Sequence, residues 1–148
     1  MSDKIIVIGT SGFKGSGKDT VGDHFVEKYG FKKLSFAYAV KKVVSVVFGW
    51  DFDMLQGLTP EHRAQREVVD EWWTEKLNKG PITPRRILQE IGTDLFRDCF
   101  HPMMWILQVH RQIVKQIEKY GRKRFVITDC RFINECEWLK GLDGYGTF

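Results

Sequence analysis

The stretch Gly12-Phe13-Lys14-Gly15-Ser16-Gly17-Lys18 constrains this chain of 148 residues more than any other. It follows the pattern G-x-x-x-x-G-K, and its setting gives the pattern meaning. Before it runs Ile5-Ile6-Val7-Ile8, β-branched and apolar, with charge on one side and glycine on the other. Such a run reads as a strand buried on both faces. After it, from about Lys18 to Tyr29, the residues Val21, Phe25, Val26 and Tyr29 recur on one helical face, and Gly30 stands as a stop. A strand that turns through glycines into a helix aims successive N–H groups inward and adds the positive end of the helix dipole. Gly12, Lys14, Gly15, Ser16 and Gly17 therefore form a seat for phosphate oxygens, with Lys18 placed to reach the outer phosphates of a nucleoside triphosphate. The next position usually carries a Ser or Thr that ligates Mg²⁺; here it is Asp19, followed by Thr20. A carboxylate is also a magnesium ligand, which makes Asp19 a metal candidate and Thr20 a cap or α-phosphate contact. The bland alternative is a glycine-rich surface turn, and the strand–loop–helix context weighs against it.

The rest of the chain alternates in the same way. Lys33-Leu34-Ser35-Phe36 reads as a second strand, and Ala39 to Phe48 as a helix with Val40, Val43, Val44 and Val47 at helical spacing. Arg124 to Thr128 reads as a strand finishing in Asp129-Cys130-Arg131. A short helix from Glu135 to Lys140 follows, then Tyr145-Gly146-Thr147-Phe148, which looks like the opening of another strand. Strands separated by helices imply parallel pairing in an α/β sandwich. Between the second and third strands lies a helical block. Thr59-Pro60 starts a helix to about Asn78, Thr83-Pro84 starts one to about Phe100, and His101-Pro102 opens a third that ends at Gly121.

Composition sets outer bounds. A content of 43% hydrophobic residues over this length supports one domain with a real core. No run approaches the roughly 18 apolar residues of a membrane span, and no signal peptide is visible, so a cytoplasmic setting is expected. Cys99, Cys130 and Cys136 lack paired metal spacing and fit buried or idle thiols in a reducing compartment. A formal charge of +4 suits small anions as well as nucleic acid and does not choose between them.

The helical block carries Arg63, Arg66, Arg85, Arg86 and Arg97. On one continuous helix, Arg63, Arg66 and Asp70 share a face. Arg85, Gln89, Thr93 and Arg97 step by four along the next helix as a polar stripe with no acidic member. Gly92 lies beside that stripe, where a mid-helix glycine costs about 1 kcal/mol and lets something approach the backbone closely. Arginine, amide and hydroxyl together suit a monoester phosphate and the edge of a base. The alternative is a solvated face with Arg66 and Asp70 as an i, i+4 pair. Asp129 and Arg131 sit at the carboxyl end of a buried strand, the edge where open α/β sheets bind ligands. Asp129 is placed to hold the Mg²⁺ water shell or accept a proton, and Arg131 to meet a phosphate; a strand-end salt bridge is the alternative. His24, His62, His101 and His110 make no constellation, and Trp72-Trp73 read as core and interface.

The loop Gly12 to Thr20, Leu34-Ser35-Phe36-Ala37, Thr83-Pro84-Arg85, Leu88-Gln89 with Gly92-Thr93, Phe96-Arg97, and Asp129-Cys130-Arg131-Phe132 with Asn134-Glu135 occur in order over nearly the whole chain. In this series the chain resembles the bacteriophage deoxynucleoside monophosphate kinases. The resemblance implies an α/β P-loop NTPase three-layer sandwich: a parallel sheet in a single domain over 1–148, with a helical monophosphate-binding region at about 50–121. It implies transfer of the ATP γ-phosphoryl group to a deoxynucleoside monophosphate, giving the diphosphate, with Mg²⁺. Lys18, Asp129 and Arg131 are then the catalytic candidates, Asp19 and Asp129 the metal ligands, and Gly12 with Lys14 to Thr20 the donor loop. Arg66, Asp70, Arg85, Gln89, Thr93, Arg97 and Arg131 are the acceptor candidates. Tyr38 stands where such kinases usually carry an aspartate, and Ile133 where a proline is familiar. Relatives continue through another strand, an arginine-bearing lid and an adenine-contacting segment, so the sequence is expected to be the first two thirds of such a domain. A nucleotide-binding fragment without turnover, and a P-loop kinase for another small phosphate acceptor, stay open. No nucleic-acid or membrane partner is expected, and exposed tryptophans permit a homodimer.

Overall fold

β1 (Ile5–Ser11) extends past its apolar run because a neighbouring strand holds it. Ile6 to Gly9 lie opposite Arg124 to Ile127 of β3 (Arg124–Cys130) in parallel register, and a shift then brings Ser11 opposite Cys130. Lys32 to Leu34 of β2 (Lys32–Leu34) pair in parallel with Phe125 to Ile127, and Tyr145 and Gly146 of β4 (Tyr145–Gly146) with Ile5 and Ile6. The sheet is four-stranded and parallel, in the order β2-β3-β1-β4. The computed structural model describes residues 4–13, 15–142 and the strand backbone at 145–146. Expectations for Lys14, Thr147 and Phe148 therefore lie outside the described residues. Among those described, no helix is long and apolar enough to cross a membrane.

The chain divides into two compact units. One holds the sheet and comprises residues up to Phe36 and from Trp105 onward; the other is helical and runs from Ala37 to Met104. In the sheet unit, Val7, Phe125, Val126 and Ile127 are fully buried, as a strand covered on both faces requires. Ile8, Val126 and Phe31 cluster with Phe25 of α1 (Lys18–Tyr29) on one face. The next residue, Gly9, points to the opposite face by strand alternation, and there it meets Leu139 of α8 (Ile133–Lys140).

α7 (Met104–Tyr120) buries Ile106, Val109 and Ile113, the three- and four-residue recurrence expected, and Gly121 ends it at φ 62°. Its His110 Nδ1 accepts from the indole Nε1 of Trp138 in α8 at 3.3 Å. All but the first residue of α7 belongs with the sheet, so the helical unit ends before the expected boundary near 121, and it begins earlier than 50, at α2 (Ala37–Phe48).

The helical unit departs from the sequence reading in three places. A short α3 (Phe52–Gln56) goes unread, although Asp51 caps it by accepting from Met54 N at 2.8 Å and Gly57 closes it. The single helix expected from Thr59 to about Asn78 is two, α4 (Pro60–Gln65) and α5 (Glu71–Leu77). Asp70 opens the second: its carboxylate accepts from Trp73 N at 3.0 Å while its own N–H donates to Ile82 O at 2.8 Å. A residue in that conformation cannot also continue a helix, so Arg66 and Asp70 do not share a face. The helix expected from Thr83 to Phe100 is α6 (Pro84–Gln89) running into a π-helix, Glu90–Phe100. Residue spacing alone does not separate i→i+4 from i→i+5 bonding, and π-helices are rare enough that the α form is the natural expectation. Two of the three proline-led starts are as read, with Thr59 accepting from His62 N at 3.1 Å and Thr83 from Arg86 N at 3.2 Å, whereas after His101-Pro102 the helix begins only at Met104. Val44, Leu55 and Ile82 form the most deeply buried part of this unit.

Candidate active site

In the sheet unit the parallel register brings three strand ends to one edge. Ser11 leads into the glycine loop, Cys130 lies opposite it, and Leu34 opposite Ile127 puts Ser35 beside the end of β3. Two glycines of the loop, Gly15 and Gly17, take φ of 81° and 85°, a left-handed conformation that glycine adopts without strain. Ser16 N donates to Phe13 O at 3.0 Å, curling the loop. Gly17 caps α1 with no side chain accepting from the first turn, which leaves donors of that turn turned outward for an anion. Lys18 Nζ donates to Gly12 O at 3.2 Å in an exposed position, folded back over the loop. An open hollow of about 550 Å³ lies between β1 and α1. Its lining of Ile8, Gly9, Thr10, Ser11, Val21 and Phe25 carries no charge.

Asp129 stands at the centre of the strand edge. One carboxylate oxygen accepts from Ser35 Oγ at 2.7 Å and the other from Phe36 N at 2.9 Å. A carboxylate oxygen accommodates more than one partner, a water or a metal ion among them. Arg131 has an exposed side chain, while its N–H donates to Glu135 Oε2 at 2.6 Å, as does Phe132 N at 2.9 Å. Glu135 is buried and thus shapes the turn that presents Arg131. Asp19 lies in the first turn of α1 with Lys33 Nζ 3.5 Å away, and Lys33 also meets Asp23 at 2.9 Å. Burial opposes the charge on Lys33, yet Asp23 and Asp19 outweigh it and lift the ammonium above its ordinary value. Behind this edge Cys130 is pushed up to about 12, chiefly by burial and secondarily by Asp129 and Glu135. It is an inert thiol, not a nucleophile.

Ser35, Lys33 and Glu135 drew no role from sequence. Glu135 had a readable signal, an acid three residues after the start of a helix, the spacing of a capping box. Ser35 stands in the family series Leu34-Ser35-Phe36-Ala37, but no role could be read for it because its partner Asp129 lies 94 positions away.

In the helical unit an arginine group gathers around Gly57. Arg63 Nη1 donates to Gly57 O at 3.1 Å, and Arg66 Nη1 makes a long contact with Leu55 O at 3.4 Å. Arg85 is linked to Arg66 through the backbone, its N–H donating to Arg66 O at 3.0 Å, while its side chain pairs with Glu67. Gln89 lies on α6 and is exposed, and Thr93 and Arg97 lie half-buried on the π-helix. Arg86 is different: it reaches Glu90 at 2.6 Å, Lys79 O at 2.8 Å and Pro81 O at 2.9 Å, and so staples a loop. What approaches Gly92 closely is Val40 of α2, whose Cγ1 lies 3.1 Å from where a Cβ would sit. That glycine serves helix packing.

Asp70 has one oxygen on Trp50 Nε1 at 2.7 Å and the other on Trp73 N. These two donors hold its carboxyl below the usual carboxylate range. The carboxylate named as an acceptor candidate is thus engaged in capping α5 and anchoring Trp50. Trp73 is half-buried and donates to Phe48 O at 3.0 Å, whereas Trp72, packed edge-on against it, is exposed. Tyr38 packs edge-on against Phe52 with Lys42 above both rings.

Residues 54–145 match the family model of deoxynucleotide monophosphate kinase. The chain belongs to this family. Its similarity to a curated relative in Acanthamoeba polyphaga mimivirus, a putative deoxynucleotide monophosphate kinase, is 33% identity over 150 residues, covering 95% of this chain and 72% of that protein. The deoxynucleoside-5'-monophosphate kinase of Escherichia phage T5 is 25% identical over 191 residues, covering 91% of this chain and 72% of its own length. The family match takes in the whole arginine group from Arg63 to Arg97 together with Asp129 and Arg131.

Proposed function

We propose that the chain is an ATP-dependent P-loop kinase that transfers the γ-phosphoryl group to a deoxynucleoside monophosphate, forming the diphosphate and releasing ADP. The observation that carries this reading is the shared strand edge: an exposed Lys18 over a glycine loop, beside Asp129 at the end of the adjoining parallel strand. In such a transfer a phosphate oxygen of the acceptor attacks the γ-phosphorus as the bond to the ADP oxygen breaks, and the protein contributes position and charge. Gly12, Lys14, Gly15, Ser16, Gly17 and Thr20 hold the donor phosphates, and Lys18 offsets their charge as it moves toward the leaving oxygen. Arg66, Arg85, Gln89, Thr93 and Arg97 take the acceptor, and Arg131 meets phosphate at the strand edge. Asp70 is left out of the acceptor set on charge: an ionised carboxylate repels a phosphate unless a cation lies between them, and this one caps α5 and anchors Trp50.

The oxygen donors Asp19 and Asp129 suit Mg²⁺, a hard cation that takes one or two carboxylates and completes its shell with water and substrate phosphates. Asp19 is largely exposed in the first turn of α1. The Asp129 carboxylate, held by Ser35 and Phe36, is fixed in position at the strand edge, and carboxylate oxygens accept more than one partner. Bound there, the ion would neutralise charge on the β- and γ-phosphates.

The test is ADP release with ATP, Mg²⁺ and each deoxynucleoside monophosphate in turn. Turnover that depends on the monophosphate supports the reading. Absence of turnover with every one of them, with calorimetric ATP binding intact, replaces it with a nucleotide-binding role.

A further inference from the structure

Gly57 is buried at the end of α3 with φ 66°. A Cβ built on it would lie 2.7 Å from Cζ of Arg66, 2.8 Å from Nη2 and 3.0 Å from Nη1. The guanidinium therefore occupies the space that any side chain at 57 would fill. The same residue's carbonyl accepts from Arg63 Nη1 at 3.1 Å, and the carbonyl two residues earlier faces Arg66. Both arginines are thus set by one closing turn of backbone, which loses less freedom on binding an anion than two loose side chains would.

We infer that Gly57 is a positioning residue: its missing side chain seats the Arg66 guanidinium in the orientation that binds the phosphate of the acceptor monophosphate. The inference rests on the acceptor role proposed above for Arg66 and adds to it a residue that touches no substrate. A planar guanidinium binds phosphate through fixed, paired N–H directions, so turning it aside weakens binding without removing the charge.

The left-handed backbone at 57 makes Gly57→Ala strained in its own right, and Gly49 supplies the control. Gly49 has φ 72° in the same unit, and nothing lies within 4 Å of where a Cβ at 49 would sit. Gly49→Ala therefore imposes comparable backbone strain without moving an arginine.

Calorimetric binding of a deoxynucleoside monophosphate and of ATP is measured on the wild type, Arg66→Ala, Gly57→Ala, Gly49→Ala and the Gly57→Ala/Arg66→Ala double variant. Monophosphate affinity is expected to fall on the order of tenfold in Gly57→Ala, with ATP affinity unchanged and Gly49→Ala like wild type. The double variant should bind monophosphate as Arg66→Ala does, and should melt higher than Gly57→Ala because the clash is gone. Should Gly57→Ala not fold, recovery of a folded double variant supports the seat, and its failure to recover overturns it. Equal monophosphate affinity in Gly57→Ala and Gly49→Ala also overturns the inference. An Arg66→Ala protein that binds monophosphate like wild type overturns it while leaving the kinase reading intact. A wild type that binds ATP and no monophosphate overturns both.

Discussion

The two units place their chemistry by different means. In the sheet unit, parallel pairing does the positioning: residues 11, 35 and 130 reach one edge because β1 and β2 both run parallel to β3, β1 with a one-residue shift at Ser11. In the helical unit no register exists. Arg63 and Arg66 are held on the carbonyls of Gly57 and Leu55 at one closing turn, and Arg85 N–H on the carbonyl of Arg66. Under the proposed function, a carboxylate in one unit is site and scaffold together, Asp129, whereas in the other the roles separate, with Asp70 as scaffold and the arginines as site.

The largest effect expected is at Lys18. Lys18→Ala should lower ADP formation about a hundredfold or more, with the melting temperature held, because its bond to Gly12 O is exposed. Asp129→Ala comes next and tests the double role. It removes the acceptor of the buried Phe36 N–H and of Ser35 Oγ, a loss of about 2 kcal/mol in stability from denaturant unfolding in addition to lost turnover. Unchanged stability would mean that Asp129 serves the site alone.

Asp70→Ala makes the opposite case. Loss of the helix cap and of the Trp50 partner should lower stability by about 1–2 kcal/mol while monophosphate affinity stays as in wild type. An affinity loss matching that of Arg66→Ala would return Asp70 to the acceptor set and erase the contrast between the units.

The smallest effect lies in pH. Cys130 is held protonated by burial, with its thiol raised to about 12 from an ordinary value of 9.0. A group raised on folding contributes fully below its unfolded value and loses that contribution as pH climbs toward the folded one. Wild-type stability should therefore decline above pH 9.0 with a slope that Cys130→Ala lacks. Asp70 carries the reverse sign: its carboxyl is lowered, so its contribution is present above 3.8 and is lost on acidification through the folded value. Unfolding measured from about pH 3 to 10, a rough span for these groups, separates the sheet unit's alkaline limb from the helical unit's acid limb.

How far the sequence could be read tracks how local each cause is. β1, α1, α7 and β3 come within a few residues of their expected bounds, since apolar recurrence and the glycines at 30 and 121 act within one or two turns. The break at 66–70 was hidden because an aspartate is read as one more helical position unless its partners, Trp50 and Ile82, are known. Gly92 signalled a close approach correctly in kind, though the visitor is Val40 and not a ligand.

By itself the sequence determined the parallel α/β unit, the glycine loop with Lys18, two of the proline-led helix starts and membership of the kinase family, all written in contiguous residues. The tertiary structure alone decided which carboxylate holds Ser35 and Phe36, which one caps a helix, and which glycine seats an arginine. The reason is physical. Hydrogen bonding and steric fit are short-ranged in space but indifferent to sequence separation, so the contact between Ser35 and Asp129, 94 positions apart, leaves no trace until the strands pair.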